Sequence, residues 1–166
     1  MEINRTLYSV LEKRLHKIQP FMQIIVGPRQ VGKSTAIKQI IRKSPDSSIY
    51  ISFENVGIAG LETISFNWHR ARDEKKINLL VFDEIQNVSG WSNLLKLLFD
   101  EDRDKKKFNV VLLGSSALEL SLSGEESVLG RFELIRTFHW SFFESNELRE
   151  TTLAKYLQYG GVSINS

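Results

Sequence analysis

An α/β sandwich, with a parallel five-stranded sheet between two helical layers, is the fold class this sequence predicts. Three observations carry the prediction. Short apolar runs that suit buried strands alternate with segments whose apolar residues recur every three or four positions. A glycine-bounded loop joins the first of those strands to the helix that follows it. The chain has 166 residues, 42% hydrophobic and 25% charged, which suits one domain able to bury a core without disulfides or a structural metal.

The elements follow in order. Leu7, Val10, Leu11, Leu15 and Ile18 form the stripe of an amphipathic helix over residues 1–20, stopped by Pro20. The apolar run 21–26 reads as the first strand. Ala36, Ile37, Ile40 and Ile41 make a helical stripe that ends at Ser44-Pro45-Asp46, and 49–53 is a second, β-rich strand. Residues 54–76 read as one helix flanked by loops, with Leu61, Ile64 and Trp68 on one face. Leu79-Leu80-Val81-Phe82 is a third strand, and Trp91, Leu94, Leu95, Leu97 and Leu98 a further helical stripe. The mixed charges of 100–107 read as a solvated turn, 110–113 as the fourth strand, 121–130 as a polar connection and 132–138 as the fifth strand. One or two short helices are expected over 141–159. The organisation is thus an N-terminal helix at 1–20, a core at 21–140 and a helical segment at 141–166. Trp68, Trp91, Phe142 and Phe143 are expected in the core.

Composition excludes several functions. The absence of cysteine rules out a disulfide scaffold and a thiolate zinc site. It fits a reducing, cytoplasmic setting. A formal charge of +2 gives no bulk electrostatic case for nucleic acid. The N-terminus has no apolar signal region, and no apolar run approaches the length of a membrane span. His16, His69 and His139 are too scattered to suggest a metal cluster.

The chemistry concentrates in Gly27-Pro28-Arg29-Gln30-Val31-Gly32-Lys33-Ser34, which matches G-x-x-x-x-G-K-[ST]. Glycines let the backbone curl until successive N–H groups face phosphate oxygens, and the positive end of the next helix adds to the same anion site. Lys33 supplies a point charge for the outer phosphates, and Ser34 a hydroxyl for Mg²⁺. Thr35 extends the set of cofactor-binding positions. Arg29 braces the loop or faces solvent.

Asp83 and Glu84 close the third strand, at the sheet edge where open parallel sheets bind ligands. Asp83 is the candidate to hold the Mg²⁺, Glu84 to orient or deprotonate water. Ser115 and Ser116 follow the fourth strand; either one senses a γ-phosphate, or they cap a helix. Arg131 is read two ways: it reaches a transferred phosphate in its own or a neighbouring subunit, or it pairs with Glu125, Glu126 or Glu133.

These segments, with Leu-Leu-Val-Phe-Asp-Glu-Ile-Gln at 79–86, Leu-Leu-Gly-Ser-Ser at 112–116 and Glu-Ser-Val-Leu-Gly-Arg-Phe at 126–132, resemble a prokaryotic AAA-type ATPase family. Coverage extends over nearly the whole chain, including Tyr156-Leu157-Gln158-Tyr159-Gly160-Gly161. The resemblance implies a P-loop core of the additional-strand, catalytic-glutamate type with strand order 5-1-4-3-2. It implies ATP and Mg²⁺ as cofactors, assigns nucleotide roles to Lys33, Ser34, Asp83 and Glu84, and supports a functional Arg131. Family members carry a separate C-terminal domain; Val162-Ser163-Ile164-Asn165-Ser166 departs from the usual continuation, so the segment from 141 is expected to stop short of that domain. Residues 54–78 are also shorter than the family pattern.

The expected activity is Mg²⁺-dependent ATP hydrolysis, with self-association and no membrane partner. The alternative is a nucleotide-dependent switch or docking module with negligible hydrolysis. A kinase would want a set of lid arginines and an acceptor pocket, and neither is legible. A protein or DNA partner is not legible either, and the P-loop itself grips phosphates rather than a base.

Overall fold

A computed structural model of the chain describes residues 6–55, 60–118, 130–149 and 152–159. In chain order the elements are α1 (Thr6–Leu15), β1 (Met22–Val26), α2 (Lys33–Lys43), β2 (Ser48–Ser52), α3 (Gly60–Asp73), β3 (Leu79–Asp83), α4 (Trp91–Asp102), β4 (Asn109–Gly114), β5 (Phe132–Arg136), α5 (Phe142–Arg149) and α6 (Leu153–Tyr159). The strands pair in the order β2-β3-β4-β1-β5, all parallel. This is the expected order 5-1-4-3-2 read from the other side. The additional strand β4 lies between β1 and β3.

Strand alternation explains the layers. Met22, Ile24 and Val26 of β1, Leu80 and Phe82 of β3, and Val110 and Leu112 of β4 point into one core with Ile64, Trp68, Trp91 and Leu95 from α3 and α4. Ile25, Leu79, Val81, Val111 and Leu113 point the opposite way, onto Leu7, Tyr8 and Leu11 of α1 and Ala36 and Ile37 of α2. On β2 the alternation puts Ile49 in the first core and Tyr50 against the second. β1, β3 and β4 are buried throughout because helices cover both faces.

Four expectations change at the element level. α1 ends at Leu15, and Ile18 is exposed. Buried Asn109 accounts for the early stop: its Nδ2 donates to the carbonyls of Leu15 at 3.2 Å and Lys17 at 3.1 Å, while Gln19 N donates to its Oδ1 at 2.8 Å. The 100–107 segment is not a solvated turn from its start, because α4 continues to Asp102, whose buried carboxylate accepts from Trp68 Nε1 at 2.8 Å. Leu61 and Leu97 are exposed instead of lining their cores, and Phe143 is exposed, unlike buried Trp68 and Trp91. The greater part of the 121–130 connection lies outside the described residues.

Candidate functional site

β1, β3 and β4 finish side by side, in a register that matches Val26 with Gly114 and Phe82 with Leu112. Gly27, Glu84 and Ser115 therefore leave the sheet at one edge. The loop after β1 starts at Gly27 (φ 155°), which is buried against the chain that continues β5. Thr137 N donates to Val26 O at 2.8 Å, and a Cβ on Gly27 would lie 2.3 Å from Thr137 O. Only glycine fits there. Gln30 (φ 62°) and Gly32 (φ 88°) then occupy the left-handed region and bring the chain back into α2. A left-handed glutamine costs on the order of 1–3 kcal/mol, and strain of this kind gathers at functional sites.

Gly32 caps α2 without a side-chain hydrogen bond, so the positive end of the helix faces the loop. Lys33 is buried and folds back across the loop it follows. Its Nζ donates to Gly27 O at 2.9 Å and to Pro28 O at 2.6 Å. Val31 is buried, Ser34 and Pro28 are half-buried, and Arg29, Gln30 and Thr35 are exposed.

Asp83 is buried at the end of β3. Its Oδ1 accepts from Glu84 N at 2.9 Å, and its Oδ2 accepts from the Tyr50 hydroxyl. Ser34 lies beside that hydroxyl. Burial, and then the adjacent Asp83 carboxylate, push the Tyr50 phenol well above its ordinary pKa, so it keeps its proton. Lys38 Nζ lies 4.9 Å from the centre of the same ring. Tyr50 thus holds one of the two residues expected to hold the metal and stands beside the other, and residue-by-residue reading missed it. Its signal was the alternation of β2: Tyr50 shares the α2 face with Asp83, on the strand next door, in a register that pairs Ser52 with Asp83.

Glu84 is half-buried and left-handed, at φ 53° and ψ 39°. The turn carries its carboxylate out of line with the strand, where Gln86 Nε2 donates to Glu84 Oε2. Gln86 Oε1 is buried without a hydrogen-bond partner among the described residues, and a Cβ on Gly114 would meet it at 2.5 Å. Ser115 is half-buried and Ser116 exposed, and a helical turn opens at 116. Lys33, Ser34, Asp83, Glu84, Ser115 and Ser116 therefore share one edge.

Arg131 does not. It precedes β5 at the amino edge, where Met22 N donates to Arg131 O at 2.9 Å. One five-residue strand, about 16 Å, separates it from the phosphate loop. Its guanidinium grips Asp100 of α4 with both nitrogens, Nε to Oδ1 at 2.9 Å and Nη2 to Oδ2 at 2.6 Å. Asp100 is a partner among the described residues; Glu125 and Glu126, two of the three glutamates expected to pair with Arg131, lie outside them. Each group holds the other's charge: the carboxyl sits below its usual range and the guanidinium above.

A cleft of about 420 Å³ opens beside the loop, between α1 and the segment after β5. Thr6, Leu7, Val10, Thr137, Phe138 and His139 are among its walls. Thr137 belongs to both the cleft and the Gly27 contact, and its Oγ1 is buried without a partner among the described residues.

The model of the AAA domain family, AAA_14, matches residues 19–146. The chain belongs to the AAA domain family. It is a nucleotide-binding P-loop protein of AAA type, and the strand order and the loop at 27–34 are those of this fold. A curated relative, the uncharacterized protein MJ1544 of Methanocaldococcus jannaschii, is 34% identical over 113 residues, covering 66% of this chain and 24% of the relative. The chain spans about a quarter of that protein. The fold resembles closed-state Hsp104 with ATPγS and FITC casein at a TM-score of 0.65 and 16% identity, over 93% of this chain and 30% of that one. It resembles the ADP complex of Hsp104 from S. cerevisiae at 0.60 and 14% identity, over 86% and 23%. It also resembles PCH-2 of C. elegans at 0.54 and 10% identity, over 93% and 46%. No helix among the described residues of this AAA domain is long and apolar enough to cross a membrane.

Proposed function

We propose that this chain binds ATP with Mg²⁺ and hydrolyses it. One observation carries the reading: Asp83 of β3, held by Tyr50 and with Ser34 of α2 at the same edge, stands beside a loop that Lys33 closes. The site suits the ligand. Two hard oxygen side chains are what Mg²⁺ takes from a protein when phosphates and water supply the remaining positions. When bound, the cation neutralises charge on the transferred phosphoryl group.

The chain's own residues do the rest. Main-chain N–H groups from Gly27 to Ser34 and the start of α2 hold phosphate oxygens, with Thr35 completing the turn. Lys33 exchanges its loop carbonyls for the outer phosphates. Ser34 and Asp83 hold Mg²⁺. Glu84 releases Gln86 and orients water at the carboxyl edge. Ser115 or Ser116 faces the γ-phosphate. The cleft beside Thr137 receives the base. Arg131, on the opposite edge, serves a site on a neighbouring copy, so full turnover requires self-association; an arginine delivered in this way is worth about 10³–10⁵ in rate.

A nucleotide-dependent switch with negligible hydrolysis is the second reading. Its support is the pairing of Glu84 with Gln86 and of Arg131 with Asp100, which leaves two catalytic candidates engaged elsewhere in the single chain. Phosphate release from ATP by wild type and Glu84→Gln, with nucleotide affinity measured on both, tests the hydrolytic reading. Hydrolysis lost at unchanged affinity is expected. Equal hydrolysis by the two would remove Glu84 from the mechanism, and negligible hydrolysis by both with ATP-dependent assembly would favour the switch.

A further inference from the structure

We propose that Tyr50 is a positioning residue of the metal site, holding Asp83 in the arrangement that receives Mg²⁺ with the nucleotide. The inference rests on the nucleotide reading above and adds a residue that neither the phosphate-loop motif nor the acidic pair contains.

The link to Asp83 is direct. The Tyr50 hydroxyl donates to Asp83 Oδ2. Asp83 has one oxygen held by Tyr50 and the other by Glu84 N, which fixes the carboxylate plane. The carboxylate is thus oriented before any cation arrives, and a preset geometry spares the ordering cost of binding.

The fold keeps Tyr50 in place. Its ring packs with the second core, and Lys38 of α2 lies over the ring face. Outer partners of this kind tune metal affinity by about 10- to 100-fold when removed.

The test uses the full chain and two binding arms. Nucleotide affinity is measured with ADP in EDTA, and cation affinity by titrating Mn²⁺ into the ADP-saturated protein, followed by electron paramagnetic resonance. Tyr50→Phe is expected to weaken Mn²⁺ binding roughly tenfold, and to change ADP affinity in EDTA by less than about twofold. In an Asp83→Ala background the same change should cost less than about twofold, because the carboxylate that Tyr50 holds is gone. Unchanged or tighter Mn²⁺ binding by Tyr50→Phe overturns the proposal. So does equal loss in both arms, or failure of the variant to fold, since either makes Tyr50 a packing residue only. If wild type binds no ADP at all, the nucleotide reading itself falls and this inference falls with it.

Discussion

At the carboxyl edge of the sheet, Lys33 and Asp83 are buried and held by loop carbonyls, a main-chain N–H and a phenol; at the amino edge, Arg131 and Asp100 meet as a partly exposed pair. The carboxyl edge also has the two left-handed non-glycine residues among those described, Gln30 and Glu84, and a helix start without a side-chain cap. At the amino edge the polar groups close the chain on itself. Asn109 binds the carbonyls after α1, and Lys106 Nζ donates to Gln19 O at 3.2 Å and Phe108 O at 2.8 Å. The same five strands thus end in a stable closure on one side and in strained, inward-facing donors on the other. Strain persists only where surrounding structure imposes it, and its gathering at one edge marks that edge for a ligand.

The largest expected effect comes from breaking the carboxyl edge at its tightest point. Gly27→Ala puts a Cβ 2.3 Å from main chain that cannot yield cheaply. Denaturant unfolding should show a loss of about 3 kcal/mol, and nucleotide binding should disappear. Gly114→Ala is the next largest. Its Cβ would meet Gln86 Oε1 and Leu118 Cδ2, both at 2.5 Å. A loss of about 1–3 kcal/mol is expected, together with a changed rate of phosphate release, since Gln86 holds Glu84.

Arg131→Ala separates the edges functionally. Exposed ion pairs contribute little, so the melting temperature should move by about 2 °C or less. Phosphate release at concentrations that favour assembly should fall at least about 100-fold. Mixing Arg131→Ala with Glu84→Gln should then restore part of the activity, because an intact arginine from one copy meets an intact glutamate in another. No recovery would place Arg131 outside the site.

The smallest effect concerns Lys106 at the amino edge. Burial pushes its ammonium down to about 8 from the ordinary 10.5. Below pH 8 both folded and unfolded chains carry this proton, so the cost of burying the charge is constant. Between pH 8 and 10 the unfolded chain binds more protons at this position, and its contribution to stability rises with pH. Wild type should gain about 1–2 kcal/mol relative to Lys106→Met between pH 7 and pH 10. Parallel urea titrations at the two pH values check this; a constant difference between the two proteins would contradict it.

Much of this was legible from residue order alone. Buried parallel strands show as continuous apolar runs, so β1, β3 and β4 stand out, and the phosphate loop identifies itself by spacing. The exposed α3 and α4 residues Leu61 and Leu97 were misplaced because helical periodicity tolerates a wide stripe and does not show where the stripe ends. Asp102 looked like one more solvated charge, since nothing local announces that Trp68, far away in sequence, needs an acceptor. Tyr50 was hidden for a related reason. Its role depends on β2 lying beside β3, which is a property of strand order and not of any motif. The placement of Arg131 follows from the same topology: parallel strands send their starts and their ends to opposite edges, so a residue before β5 cannot lie beside residues that follow β1 and β3.

The central claim is that the 27–34 loop grips a nucleotide through Lys33. The most direct measurement is the melting temperature of wild type and Lys33→Ala across a concentration series of ATP with Mg²⁺. Wild type should rise with the logarithm of free nucleotide once its dissociation constant is passed, and Lys33→Ala should stay flat. A flat wild type, or the same rise in both proteins, would contradict the claim.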